Sequence, residues 1–228
     1  LVKTNAIKDK LISIISHDMK SPLASLQTTL ALTREGILEK DEFNKLSEGI
    51  EGDIYQLRSM LDNMLLWGRE QVTDITIKKV SFNIHDIAEE IITMHKTGIK
   101  AKNITVQNFI LPDTMVFTDK DIITTGFRNI FSNAVKFTPP GKRIFVQQME
   151  LNKKIYISVK DEGDGIPDEI LQKIYNREFI STRGTANEKG TGIGMSFSRE
   201  LFDKLGETFS ISTAKAKGTS VTFSVDQA

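Results

Sequence analysis

"KIYISVKDEGDGIP", Lys154 to Pro167, is the stretch whose reading decides the fold. Its first residues alternate in the manner of a half-buried strand, placing Ile155, Ile157 and Val159 on one face. Asp161 falls on that same face at the strand's end. A carboxylate aimed at a buried side needs a donor, and the amino group of an adenine is one that fits. Gly163 and Gly165 let the backbone approach a ligand closely, or equally make a simple turn. Alone, Asp-x-Gly-x-Gly leaves both readings open.

The segments on either side narrow the choice. Upstream, "FRNIFSNAVKFTPPG" places Asn129, Asn133 and Lys136 at i, i+4 and i+7, on one face of a helix. Ile123, Phe127, Ile130, Ala134 and Phe137 share a different face and seat that helix on a sheet. Asparagine oxygens are neutral hard ligands suited to Mg²⁺, and a lysine beside them suits phosphate. An ordinary solvated polar face is the alternative. Downstream, "EKGTGIGMSFSRELF" supplies Gly190, Gly192 and Gly194 ahead of a helical pattern carried by Ile193, Phe197, Leu201 and Leu205. Glycines opening a helix leave free N–H groups at the positive end of its dipole, which cradle phosphate. The run lacks the Gly-Lys-Ser/Thr of a P-loop, and no strand leads into it as a dinucleotide fingerprint requires.

Farther out, texture divides the 228 residues in two. Helical patterns near 84 to 98, 120 to 137 and 191 to 205 alternate with period-two segments "ITVQNFI", "RIFVQQM", "KIYISVK" and "TSVTFSV". This mixture predicts an α/β two-layer sandwich, helices on one face of a mixed sheet, over residues 78–228. Residues 1–72 instead carry two helical stripes. Ile7, Leu11, Ile14, Leu23, Leu26 and Leu30 form one; Phe43, Leu46, Ile50, Ile54, Leu57, Leu61 and Met64 form the other, with "REGILEKDE" between them. A lone hairpin cannot bury both stripes on itself, so a dimeric four-helix bundle is expected; packing of the hairpin on the rest of the chain is the alternative. The break at "QVTDITIK", 71 to 78, is the expected boundary, and the whole is an α+β chain.

Thirty basic and thirty acidic residues cancel, so no global field recruits nucleic acid or anionic membrane, and any anion must be held by a local site. The absence of cysteine excludes disulfides and thiolate metal sites. No apolar run reaches the roughly 20 residues that span a bilayer. The chain opens at Leu1 inside a helical pattern with no initiator methionine, and a piece of a longer protein is expected, preceded by a sensor or a membrane anchor.

Order and spacing carry more than any single motif. Asn-x-x-x-Asn-x-x-Lys, then Asp-x-Gly-x-Gly, then Gly-Thr-Gly-x-Gly, then the closing "KGTSVTF" resemble the N, G1 and G2 boxes and final Gly-Thr strand of the ATPase fold shared by histidine kinases, Hsp90, type II topoisomerases and MutL. The stretch from Ile166 to Lys189, containing Tyr175, Phe179 and "STRGTANEKG", looks like the ATP lid of the kinase branch. With that domain in place, "SHDMKSPLASL" in the first stripe resembles the H box of a sensor histidine kinase, the HisKA type joined to a Bergerat-fold ATPase domain.

That resemblance implies a protein histidine kinase of two-component systems: ATP-dependent phosphorylation of His17, then transfer to an aspartate of a response regulator receiver domain. It implies ATP and Mg²⁺ as cofactors and a homodimer through the hairpin. His17 is the implied phosphoacceptor and Asp18 its acid/base partner. Asn133 is the implied Mg²⁺ ligand with Asn129 nearby, Lys136 a phosphate contact and Asp161 the adenine reader. Phe137, Ile166, Tyr175, Phe179, Thr191, Ile193, Thr219 and the five glycines of the boxes line the implied pocket and lid. The chemistry agrees: imidazole is nucleophilic near neutral pH, Asp18 can draw on the ring's other nitrogen, and Pro22 leaves the carbonyl of Asp18 without an N–H, bending the helix beside the acceptor. Ser21 stands where the family usually has threonine or asparagine to orient a water for dephosphorylation, "GIGM" replaces Gly-Leu-Gly-Leu, and "KLGE" replaces His-Gly-Gly. An Hsp90-like ATPase, a serine kinase on this fold, and a nucleotide-binding scaffold without transfer are the competing readings. His85 and His95 match no motif and are expected to be ordinary helix residues.

Overall fold

The computed structural model describes residues 23–24, 27–34, 77–176, 178, 180–188, 192 and 194–228. The chain divides into two compact units, Leu1–Asp74 and Ile75–Ala228. In the first, residues 23–24 and 27–34 are helical, and the hydroxyls of Thr28 and Thr33 donate to the carbonyls of Ala24 and Thr29 one turn back. Leu23 and Leu30 of the first stripe are exposed. His17, Asp18, Ser21, Pro22 and the whole second stripe lie outside the described residues.

The second unit is built on a mixed five-stranded sheet in the order β2-β4-β5-β7-β6, where β2 is Thr105–Asn108, β4 Arg143–Leu151, β5 Lys154–Asp161, β6 Phe209–Ala214 and β7 Gly218–Asp226. Only β2 and β4 run parallel; the other neighbours are antiparallel. A separate antiparallel ribbon pairs β1 (Lys79–Asn83) with β3 (Met115–Asp119). The helices are α1 (Ile84–Met94), α2 (Lys96–Ala101), α3 (Lys120–Phe137), α4 (Asp168–Tyr175) and α5 (Gly194–Leu205).

Strand alternation operates as expected on β5: Ile155, Ile157, Val159 and Asp161 are all buried, while Lys154, Tyr156, Ser158 and Lys160 are not. They meet Ile123, Phe127 and Ile130 of α3, Leu201 and Phe202 of α5, and Val221, Phe223 and Val225 of β7 in one apolar layer. Phe223 stacks on Phe202 at 4.6 Å and receives the edge of Phe127 at 5.5 Å. Gly126 sets the approach of α3 to α5, because a Cβ there would stand 2.8 Å from the Phe202 ring. Asp119 starts α3 by accepting from the Ile122 N–H, its second oxygen taking the Lys78 N–H.

Four expectations about elements need correction. The helix read over 84 to 98 is two helices, because the chain turns at His95, whose N–H bonds back to Ile92 and Thr93 while its ring edge meets Phe131 at 5.4 Å. Burial lowers the pKa of that histidine. Strands β1, β3 and β6 were not foreseen: "KVSFN" and "MVFTD" are short, and "FSISTA" alternates serine and threonine on an edge. The stretch from Ile166 to Lys189 is not all loop, since α4 occupies its first third. Pro167 presets the backbone before α4, Asp168 and Glu169 stand in its first turn, and Ile174 is buried. Finally, Phe137, placed on the seating face of α3, is only half-buried.

Candidate nucleotide site

Four segments distant in sequence converge where β5 ends. Asp161 is 7% exposed, and its Oδ1 accepts both the Gly163 N–H at 2.8 Å and the Thr219 N–H at 3.1 Å. Two donors on one oxygen orient the carboxylate and leave Oδ2 for a third group. Burial raises the Asp161 pKa, opposed by those two N–H groups.

The glycines around it hold backbones closer than side chains would allow. A Cβ on Gly163 would lie 2.6 Å from the Phe137 carbonyl oxygen, so the end of α3 and the loop after β5 touch. Gly165, at φ +81°, packs against the Ala214 carbonyl, and Gly218, at φ +82°, has its Cβ position filled by the Asp161 carbonyl oxygen, 1.9 Å away. Both need the left-handed region that glycine enters without strain. The β6–β7 hairpin buttresses the loop: Thr213 Oγ1 accepts from the Ile166 N–H at 2.8 Å and stands 3.1 Å from Thr219 Oγ1. Thr213 was not foreseen, since a threonine on an edge strand carries no local signal.

On α3, Asn129 is buried rather than part of a solvated face, and the Cβ position of Gly194, where α5 begins, lies 3.5 Å from it. Asn133 and Lys136, one and two turns on, are half-buried. Lys136 Nζ donates to the Thr182 carbonyl and sits 4.7 Å over the Phe137 ring, and burial lowers its pKa, with Lys102 lowering it further and Glu188 raising it. Gly192, at φ +73°, accepts the Ile180 N–H at 3.2 Å, which closes the neck of the loop between α4 and α5. Tyr175 stands apart from this group, its hydroxyl against the Ile211 backbone on β6 and its ring under Arg199 at 4.8 Å. Phe179, Gly190, Thr191 and Ile193 lie outside the described residues.

The donor set suits a purine nucleotide with a divalent ion. An oriented, buried carboxylate oxygen fits an amino donor; neutral asparagine oxygens fit Mg²⁺; an ammonium and the N-terminal end of α5 fit phosphate. Packing of backbone on backbone at Gly163, Gly165 and Gly218 holds the walls in place.

Two protein-family models match the chain. The model for histidine kinase-, DNA gyrase B- and HSP90-like ATPases matches residues 118–228, and that for the His Kinase A (phospho-acceptor) domain matches residues 7–71. The chain is 29% identical over 199 residues to the adaptive-response sensory kinase SasA of Synechococcus sp. (strain JA-3-3Ab), covering 85% of this chain and 52% of that protein. It is 25% identical over 227 residues to the sensor histidine kinase WalK of Bacillus subtilis (strain 168), covering 98% of this chain and 37% of that one. The chain thus spans about a third to a half of the length of these two curated relatives. Among solved structures, histidine kinase ThkA in complex with response regulator protein TrrA superposes with a TM-score of 0.66 at 18% identity, over 99% of this chain and 64% of that one. The Acinetobacter baumannii histidine kinase AdeS superposes with a TM-score of 0.65 at 15% identity, over 92% of this chain and 98% of that one. At such identities these two show a common fold.

Proposed function

Since the chain belongs to the two-component sensor histidine kinases and carries both their phospho-acceptor and ATPase modules, we propose that it phosphorylates itself on His17 from Mg²⁺·ATP and passes the phosphoryl group to an aspartate of a response regulator. One observation carries the reading: a chain whose residues 7–71 match a phospho-acceptor model also holds, in its second unit, a buried carboxylate oriented by Gly163 and Thr219 at the end of β5. Residues 1–72 are assigned to dimerisation and phosphotransfer, and residues 78–228 to catalysis. The exposed Leu23 and Leu30 support a homodimer through the hairpin. No helix among the described residues is long and apolar enough to cross a membrane; we assign the reaction to the cytoplasm, downstream of a sensor domain.

In this reading Asp161 Oδ2 accepts from the adenine amino group while Oδ1 stays on its two backbone donors. Asn133 would hold Mg²⁺, with Asn129 at its back, and the ion would supply charge neutralisation at the phosphates. Lys136 leaves the Thr182 carbonyl for phosphate; its lowered pKa reflects burial that an anionic partner offsets. Gly190, Gly192 and Gly194 are assigned to the phosphates through their N–H groups. One imidazole nitrogen of His17 attacks the γ-phosphorus in line, an N–P bond forms, the bond to the β–γ bridging oxygen breaks, and ADP leaves. Asp18 takes up or orients the proton on the other ring nitrogen. Ser21, four residues after His17 in the sequence, is assigned to a hydrolytic water.

The test incubates the full chain and its His17→Ala variant with Mg²⁺ and γ-labelled ATP, then challenges the labelled protein with acid and alkali. An acid-labile, alkali-stable label absent from the variant is expected. An acid-stable label would instead mark a hydroxyl acceptor and overturn the assignment of His17.

A further inference from the structure

Lys102, at the end of α2, has no role in the motifs and is 5% exposed. A buried ammonium is costly unless each of its three protons finds an acceptor. Here each does: Nζ donates to the Val135 carbonyl at 2.8 Å, the Lys136 carbonyl at 2.8 Å and Glu188 Oε1 at 2.9 Å. The first two are last-turn carbonyls of α3, which have no partner inside the helix and carry the negative end of its dipole. The third belongs to the loop between α4 and α5.

The same loop makes a second set of contacts to that helix end. The Thr185 N–H donates to the Lys136 carbonyl at 3.1 Å, and Thr185 Oγ1 donates to the Thr138 carbonyl at 2.9 Å. Glu188 Oε2 accepts the Ala186 N–H, and the Glu188 carbonyl accepts the Gly184 N–H, so the loop is itself folded around Glu188. Gly184 leaves no room for a side chain, since its Cβ would fall 2.8 Å from the Lys136 carbonyl oxygen. Burial would raise the Glu188 pKa, but Lys102 and two backbone N–H groups hold it below the ordinary value, which favours the carboxylate. The loop therefore serves as part of the C-terminal cap of the helix that carries Asn129, Asn133 and Lys136.

We infer that Lys102 is a positioning residue for the nucleotide site: it clamps the last turn of α3 and, through Glu188, anchors residues 182–188 beside Lys136. Lifting the loop removes the Thr185 share of the α3 cap and strips the buried ammonium of one of its three acceptors. Placement of Lys136 and closure of the loop are thereby coupled. The inference rests on the nucleotide reading for its consequence, though the clamp itself is independent of it.

The experiment uses the full chain with Lys102→Met, Glu188→Ala and the double substitution, and follows trypsin cleavage after the exposed Arg183 by mass spectrometry, with and without Mg²⁺·ATP. Proteolysis reports local opening, so each single substitution is expected to speed cleavage without nucleotide by about tenfold, with the double variant no faster than Lys102→Met. The KM for ATP should rise by a similar factor while kcat changes less. A helix cap alone would lower the melting temperature of Lys102→Met yet leave cleavage of Glu188→Ala at the unsubstituted rate, and that result overturns the inference. Glu188→Ala keeps both α3 carbonyls capped, so the test survives if Lys102→Met fails to fold. If the unsubstituted chain binds no ATP but the cleavage pattern holds, the clamp stands and the nucleotide reading fails.

Discussion

Asp161→Asn separates recognition from folding at the most informative side chain. The asparagine oxygen can keep both bonds now made by Oδ1, to the N–H groups of Gly163 and Thr219, which turns the amide NH₂ to where Oδ2 stands. An adenine amino group then meets a donor instead of an acceptor. Loss of a hydrogen bond to a charged group costs about 1.5–3 kcal/mol, which is about a 10- to 150-fold rise in Kd for ATP. Stability moves the other way. Burial raises the Asp161 pKa, so this group's contribution is full below the unfolded-state pKa and is lost as pH rises through the folded-state value; near neutral pH the charged form is a liability that asparagine removes. The melting temperature at pH 7 is therefore expected to hold or rise. GTP presents a carbonyl where ATP presents the amino group, so the preference for ATP over GTP should narrow. Calorimetric titration with both nucleotides, paired with a thermal melt, reads all of this. A Kd for ATP within about threefold of the original, with the fold intact, would refute the role of Asp161.

Three further expectations are independent of that one. In the unsubstituted chain, ATP affinity should fall with acidification at a pH above the ordinary aspartate range, because Asp161 must be ionised to accept and burial raises its pKa; titration from pH 7 downward checks this. Gly218→Ala places a methyl group on the Asp161 carbonyl at positive φ and should cost about 2–4 kcal/mol and nucleotide binding with it, whereas Gly206→Ala, also at positive φ but with nothing within 4 Å, should cost only about 1–2 kcal/mol; paired urea denaturations distinguish them. Phe223→Ala removes the ring on which Phe202 and Phe127 pack and should destabilise the second unit by about 3–5 kcal/mol, read from the same curves.

Local pattern was enough for a large part of this protein. Period-two alternation placed Asp161 on the buried face with Ile155, Ile157 and Val159, and period 3.6 put a helix over residues 120 to 137, because both signals depend only on where successive Cβ atoms point. The order of the glycine and asparagine motifs was enough to name the family. Other features belong to contacts between distant residues, which no window along the chain records. Lys102 reaches acceptors 33 and 86 residues away, and Gly218 is required by a carbonyl 57 positions upstream in the same chain, about which "KGTSVTF" is silent. Strand β6 pairs because β7 offers it an edge, with little apolar pattern of its own. Residue types and their order determined what chemistry the chain can carry; tertiary structure alone decided that Asp161 would be oriented by Thr219, and that a buried lysine would tie the loop to the helix, since burial and partner choice arise only once remote segments pack.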